Sequence, residues 1–448
     1  MLKKLSVLML ALIMVLTACA IGASAEDGKK VTITFWKWIP TETESQMPAI
    51  KAAFDAKYPG INLEVTHVGE SDSFFQKLSA GLPAGEGPTV IAMQVGARAN
   101  QYKEFMEPLA PWAEKELGAN WRDLFLGAAL DQCAYSGDEL YVLPGGMTAT
   151  PLIQYNAEMF AAAGIQSVPT TYDEMMDAIA KLSAKFPNSI PGVAIGAKEG
   201  WTCRDVFMGI MNQIAPGKIY EAQEGTAAFT EPEFIQAFTL WKKLFDDGFF
   251  APGSLGVALY PDINEAFLLG GAGDSYSMIS CGTWHGGALT KSGYDLGVSD
   301  GTRNVKDMGF MMMPAVVDGA EQSMQVTVDI AWGMNAEATD EEKEAAWKFI
   351  EFMTVGEGQT IWSNTLQVLP SAVGVDLSKA NEDMIGDLQS QSLKVAETGI
   401  ANGKYARELR YAGIANALND ALQAVAAGVM TPEQAAASVE TASQAVDR

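Results

Sequence analysis

Histidine is nearly absent: His67 and His285 are the only two in 448 residues. They are far apart and no H-E-x-x-H spacing joins them, so a zinc hydrolase of that type is excluded. Cysteine is equally sparse, with Cys19, Cys133, Cys203 and Cys281 the only four. No C-x-x-C pair occurs, which argues for isolated buried thiols rather than a disulfide framework or a zinc site. Positive charge is in deficit: 30 Lys and Arg stand against 55 Asp and Glu, a formal net charge of −25. Such a surface repels phosphate backbones, so nucleic acid is excluded as a partner. After the first twenty residues no apolar run reaches the length of about 18 that a membrane helix needs.

Nucleotide and nucleophile motifs are missing as well. Gly270-Gly271-Ala272-Gly273 lacks the lysine and hydroxyl residue of a phosphate-binding loop. Gly297-Val298-Ser299-Asp300-Gly301 matches G-x-S-x-G, but both histidines precede Ser299, the reverse of the hydrolase order. Ser-Asp-Gly in a polar stretch is a turn. No cofactor and no metal is expected. Glycoside hydrolysis needs only two carboxylates, so a secreted glycosidase or lyase stays open as the enzymatic alternative.

What is present begins at the N-terminus. Lys3 and Lys4 precede an apolar run that ends in Leu16-Thr17-Ala18-Cys19. A basic start, a short hydrophobic segment and small residues before a cysteine describe a lipoprotein export signal, with residues 1–18 removed and Cys19 lipidated. Ala23-Ser24-Ala25 offers a competing cleavage site that would discard Cys19. Either way the chain is exported, and with Cys19 lipidated it is held on the extracellular face of the cell membrane.

The remaining length is enough for two large lobes. Val31–Phe35 alternates as a strand, Met47, Ile50, Phe54 and Tyr58 recur at helical spacing, and Ile61–Val65 is a second strand. This strand–helix–strand order predicts an α/β lobe with a parallel sheet. Thr171 with Glu174, and Thr339 with Glu342, form capping boxes before helical patterns. Thr431, Pro432 and Gln434 open a last helix, and Gly428 stops the one before it. Ligands of two-lobed α/β proteins bind beyond the carboxyl ends of the strands.

Tryptophans outside helical faces are the candidates for such a crevice: Trp36, Trp38, Trp201, Trp284 and Trp362. An indole face is flat and apolar with one N–H at its edge, which suits the C–H face of a sugar ring. Trp284, within Gly282-Thr283-Trp284-His285-Gly286, is the foremost of them. Trp241 and Trp347, at helical spacing, are assigned to packing.

Four segments carry a family resemblance. Tyr155-Asn156-Ala157-Glu158-Met159-Phe160, continuing through Gly164, Val168-Pro169-Thr170-Thr171-Tyr172 and Asp173-Glu174, is the longest. Ala266-Phe267 with Met278 and Gly282-Thr283-Trp284, then Ala345-Ala346-Trp347-Lys348-Phe349, then Leu369-Pro370-Ser371 follow in order. Together they resemble the family-1 extracellular solute-binding proteins of ABC importers, over nearly the whole exported chain. The resemblance implies a two-lobe periplasmic-binding-protein-like fold of type II, with an interlobe cleft and three hinge crossings. It implies a first lobe of residues 31–147 and 308–338 and a second of 148–307 and 339–448, with hinges near Met147, Met308 and Thr339. It further implies a monomer without enzymatic activity that captures a carbohydrate, an oligosaccharide above all, and passes it to ABC permease subunits; a sensor kinase as the receiving partner is the alternative. By position in maltodextrin-binding relatives, the ligand groups implied are Trp38, Glu42, Gln94, Thr148, Trp284, His285, Trp362, Arg410 and Tyr411, with Asp72 and Asp329 from neighbouring loops. Thr89 stands where the family usually carries Asp, beside the Gln94 segment.

Overall fold

The computed structural model describes residues 30–38, 40–69, 71–134, 139–270 and 275–448, without the side chains of 40–45, 71 and 72. The expected signal peptide, Cys19 and the Ala23–Ala25 site lie outside the described residues, as do the side chains of Glu42 and Asp72.

Among the described residues ten strands form two sheets. The strands are β1 (Val31–Lys37), β2 (Ile61–His67), β3 (Val90–Met93), β4 (Val142–Thr150), β5 (Leu152–Asn156), β6 (Ile190–Ala194), β7 (Tyr276–Cys281), β8 (Met308–Met312), β9 (Gln325–Met334) and β10 (Tyr405–Ala406). The first sheet runs β10-β9-β3-β1-β2, with β4 on the other edge of β9; the second runs β6-β7-β5-β8. The expected βαβ opening is present: β1 and β2 pair in parallel from Val31–Ile61 to Lys37–His67, joined by the helix Pro40–Lys57. Met47, Ile50 and Phe54 of that helix are buried because their three- and four-residue spacing puts them on one face.

The ten-residue β9 organises the first sheet. One edge pairs antiparallel with β4 over nearly its whole length, and the other takes β3 at its end and β10 at its start. Gly145 of β4 makes room for the Trp332 indole of β9; a Cβ there would sit 2.4 Å from Trp332 Nε1. Trp332 meets Phe35 at 5.5 Å and Trp362 at 6.3 Å, both edge-on. Trp362, expected in the cleft, is a core residue here, 2 % exposed. Trp38 is also buried, packed on Phe74 and Phe75 of the helix Ser71–Gly81 at 5.3 and 5.9 Å.

Both expected capping boxes form, at Thr171/Glu174 and Thr339/Glu342, and the last helix opens at Thr431 with a third, closed by Gln434. Gly428 ends the preceding helix with a φ of 72°. The G-x-S-x-G segment straddles the end of the helix Lys291–Ser299 and a turn at Gly301, as a turn rather than a nucleophile elbow.

The changes of sheet do not fall at the expected hinges. Met147 lies inside β4, paired with Val328, and the chain leaves the first sheet at Pro151. Met308–Met312 pairs with β5 in the second sheet, so the return falls between Met312 and Gln325. Thr339 is no crossing, because the helices Asp340–Thr354 and Glu357–Ser363 pack on β1, β4 and the helix Pro40–Lys57. The chain next reaches the second unit near Asp383, whose carbonyl accepts from Lys291 N–H. Capping and periodicity mark where an element begins, whereas the sheet it joins is decided by packing.

Replacing Trp362 by Ala empties a core site of the first sheet. The expected cost is about 3–5 kcal/mol, read as a lower denaturant midpoint with an unchanged slope.

Candidate functional site

Two parallel strands of the second sheet, β6 and β7, point their carboxyl ends the same way. Trp201 opens the helix Gly200–Ile214 after β6, and Trp284 follows β7 in the turn Thr283–Leu289. Their ring centroids are 6.1 Å apart at 58° and both are half-buried. The motif Gly282-Thr283-Trp284 has a local cause: the indole folds back over Gly282, where a Cβ would lie 2.0 Å from Trp284 Cζ3.

The Arg407 guanidinium sits against both rings, its Cζ 5.4 Å from the Trp201 centroid and 5.3 Å from that of Trp284. Arg407 follows β10 and donates its backbone N–H to Val326 of β9, so it is anchored to the first sheet. Its Nε lies 2.9 and 3.0 Å from the two carboxylate oxygens of Asp205, which belongs to the helix Gly200–Ile214. Its Nη1 is 3.3 Å from Glu408 and 3.9 Å from Asp329 of β9. Glu408 reaches on to Arg204 at 3.1 Å, and Arg204 to Asn419 Oδ1 at 3.4 Å. The charges thus alternate across the junction of the two sheets.

Burial opposes every charge in this network, and its partners decide the outcome. For Arg407, the carboxylates of Asp205, Glu408 and Asp329 outweigh burial and hold the guanidinium above its ordinary value. For Glu408, burial pushes upward but Arg204, Arg407 and Arg98 win and hold the carboxyl low. For Asp205, burial prevails and raises the carboxyl, with Arg407 and Arg204 opposing.

A second network holds the edge of Trp284. Its Nε1–H donates to Tyr260 Oη at 2.6 Å, Tyr260 Oη contacts His285 Nε2, and His285 Nδ1 lies 2.8 Å from Gln154 Oε1 of β5. Burial pushes the His285 imidazole down to about 4, so the ring is neutral near pH 7.

Nucleophilic chemistry finds no purchase in the thiols. Cys133, Cys203 and Cys281 are buried, and burial pushes Cys203 up to about 12 and the other two upward as well. Among the described residues, no group of three or more His, Cys, Asp or Glu could hold a metal, and no helix is long and apolar enough to cross a membrane.

Residues 39–360 match the model of the bacterial extracellular solute-binding protein family. The chain belongs to this family. A Brucella abortus protein described as a binding protein is 25 % identical over 341 residues, 75 % of each chain. The erythritol/L-threitol-binding protein of Mycolicibacterium smegmatis is 25 % identical over 371 residues, 76 % of this chain and 73 % of that one. Among solved structures, a chitin oligosaccharide binding protein superposes with a TM-score of 0.73 at 23 % identity, over 93 % of this chain and 99 % of that one. The fold of this solute-binding protein is therefore the two-lobe α/β fold, for which the resemblance implied an interlobe cleft.

Of the residues expected to line that cleft, Trp284, His285 and Asp329 come together at the Arg407 cluster. Both ring nitrogens of His285 are engaged within the protein, so it stands behind the surface rather than on it. Gln94 is half-buried after β3. Thr148 is fully buried in β4, and its hydroxyl finds no partner among the described residues. Trp38 and Trp362 are packed away as described. Arg410 and Tyr411 turn instead toward Glu224, at 3.4 Å each. Arg204, Asp205, Tyr260, Arg407 and Glu408 carried no motif that sequence reasoning could have found. Arg407 lies only three residues before Arg410, a difference that its place directly after β10 decides.

Truncating Arg407 to Gln leaves Asp205 buried without its main partner. A loss of about 3–5 kcal/mol is expected, and adding Asp205→Asn should return part of it in a denaturation cycle.

Proposed function

We propose that this solute-binding protein captures a carbohydrate or polyol between its lobes and delivers it to an ABC permease. The carrying observation is the Trp201–Trp284 pair, half-buried after β6 and β7, with Arg407 against both rings and Asp329 of the first sheet 3.9 Å from Arg407. The indoles supply apolar surface for a sugar ring, while Asp329 and Glu408 accept from hydroxyls at its rim. The charged groups pair with one another, so a neutral ligand fits better than an ionic one. The names of the relatives, a tetritol-binding protein and a chitin oligosaccharide binding protein, support the same ligand class.

The mechanism is closure. The segments at Pro151 and between Met312 and Gln325 join the two sheets and serve as hinges, and differential affinity for the closed form shifts the population toward it. In this reading the first lobe comprises residues 31–150 and 325–363 and the second most of the rest, with β10 returning to the first sheet. The ligand leaves chemically unchanged, and the permease reads the closed shape of a monomer. Lipidation of Cys19 tethers the receptor and raises its concentration near the permease.

Titration with tetritols, xylo-, malto- and chito-oligosaccharides should change the tryptophan fluorescence for at least one sugar. Response to an amino acid or metal alone would refute the ligand class, and new reducing ends in the same mixtures would mark a hydrolase. Trp284→Ala should weaken the responding sugar about ten-fold or more with little change in melting temperature. Mass analysis of the mature protein should find an acylated Cys19; a free N-terminal Glu26 would refute the anchor.

A further inference from the structure

We propose that Gln154, His285 and Tyr260 form a one-way hydrogen-bond chain that holds the Trp284 indole in place, with His285 a positioning residue rather than a ligand contact. The proposal deepens the reading of Trp284 as a stacking surface and rests on it for its effect on affinity.

The direction of the chain follows from which atoms can donate. An indole N–H donates and cannot accept. Trp284 Nε1 lies 2.6 Å from Tyr260 Oη, so the phenol oxygen accepts there. At the other end Gln154 Oε1 can only accept, so the imidazole proton lies toward it and His285 Nε2 is bare, able to accept the phenol proton of the neighbouring Tyr260. The neutral imidazole therefore carries its proton on Nδ1, which donates to Gln154 Oε1 at 2.8 Å. Gln154 is fully buried in β5, with its amide nitrogen turned to the sulfur of Met308, so its oxygen faces the histidine. Burial of the imidazole keeps it neutral, as the chain requires.

The chain links a rigid strand to the rim of the site. Gln154 is 0 % exposed, whereas Tyr260 is 41 % exposed. Trp284 is thus fixed on three sides: Arg407 against its ring, Gly282 beneath it, and Tyr260 at its edge. An indole held this way loses little rotational freedom when a ligand stacks on it, which is preorganisation by groups that need not touch the ligand.

Histidine tautomers read by 15N NMR at pH 8 test the first link in the intact protein. Two histidines give a simple spectrum, and the exposed His67 is the internal reference. His285 should be in the Nδ1–H form; an Nε2–H form, or a mixture like that of His67, would overturn the proposal. Tyr260→Phe should move one indole N–H resonance, assigned by its loss in Trp284→Phe, and weaken the responding sugar about three- to ten-fold. A weakened sugar with an unmoved indole resonance would make Tyr260 a direct contact and overturn the chain, as would no change in either. His285→Gln, which places an amide oxygen near the Nε2 position, should retain more affinity than His285→Leu; equal losses count against the proposal. If no sugar binds, the proposed function fails, while the tautomer and the indole resonance still decide the chain.

Discussion

A guanidinium taken out of water must be paid for by carboxylates in good geometry, and Arg407 at the junction of the two sheets imposes that demand on everything around it. Asp205 meets its Nε with both oxygens, which requires the helix Gly200–Ile214 to lie with that face toward β10. Glu408 and Arg204 extend the alternation so that no single charge stands alone. The two indoles then lie against the guanidinium, a weakly hydrated cation. The position of the aromatic pair is thus a consequence of charge compensation as much as of hydrophobic burial.

The same residue type serves two ends in this chain. Trp332, Trp347 and Trp362 fill the first core, and Trp241 the second, where large apolar area contributes most. Trp201 and Trp284 remain half-buried because each follows a strand end and finds a cation rather than a helix above it. The difference is one of neighbours. Trp38 also follows a strand end, but Phe74 and Phe75 of the next helix close over it.

Strand β9 explains why the chain passes between the sheets where it does. Pairing with β4, β3 and β10 at once requires three segments distant in sequence to converge on one strand. The passages between the sheets then fall at the end of β4 and the start of β9 rather than at the capped helices. The proposed closure by rotation needs stiff halves, and a strand shared this widely would supply stiffness on one side.

The amino-acid sequence alone determined the α/β class, the βαβ opening, two capping boxes, the start of the last helix at Thr431 and the buried thiols, and it singled out Trp284 for the candidate site. These are local or compositional properties: spacing of apolar residues, a hydroxyl three positions before a carboxylate or amide, a glycine two positions before an indole. It also carried the family, through four ordered segments. Only the tertiary structure decided that Met308–Met312 joins the second sheet, that Trp38 and Trp362 are core, and that Arg407 with Asp205, and Tyr260, gather about Trp284 while Arg410 and Tyr411 turn toward Glu224. Those outcomes depend on which other element covers a side chain, as Phe74 covers Trp38 and as Arg407 joins Asp205 across 202 positions. Periodicity along one segment carries no record of such a partner, because the energy that selects it is earned only when the two surfaces meet.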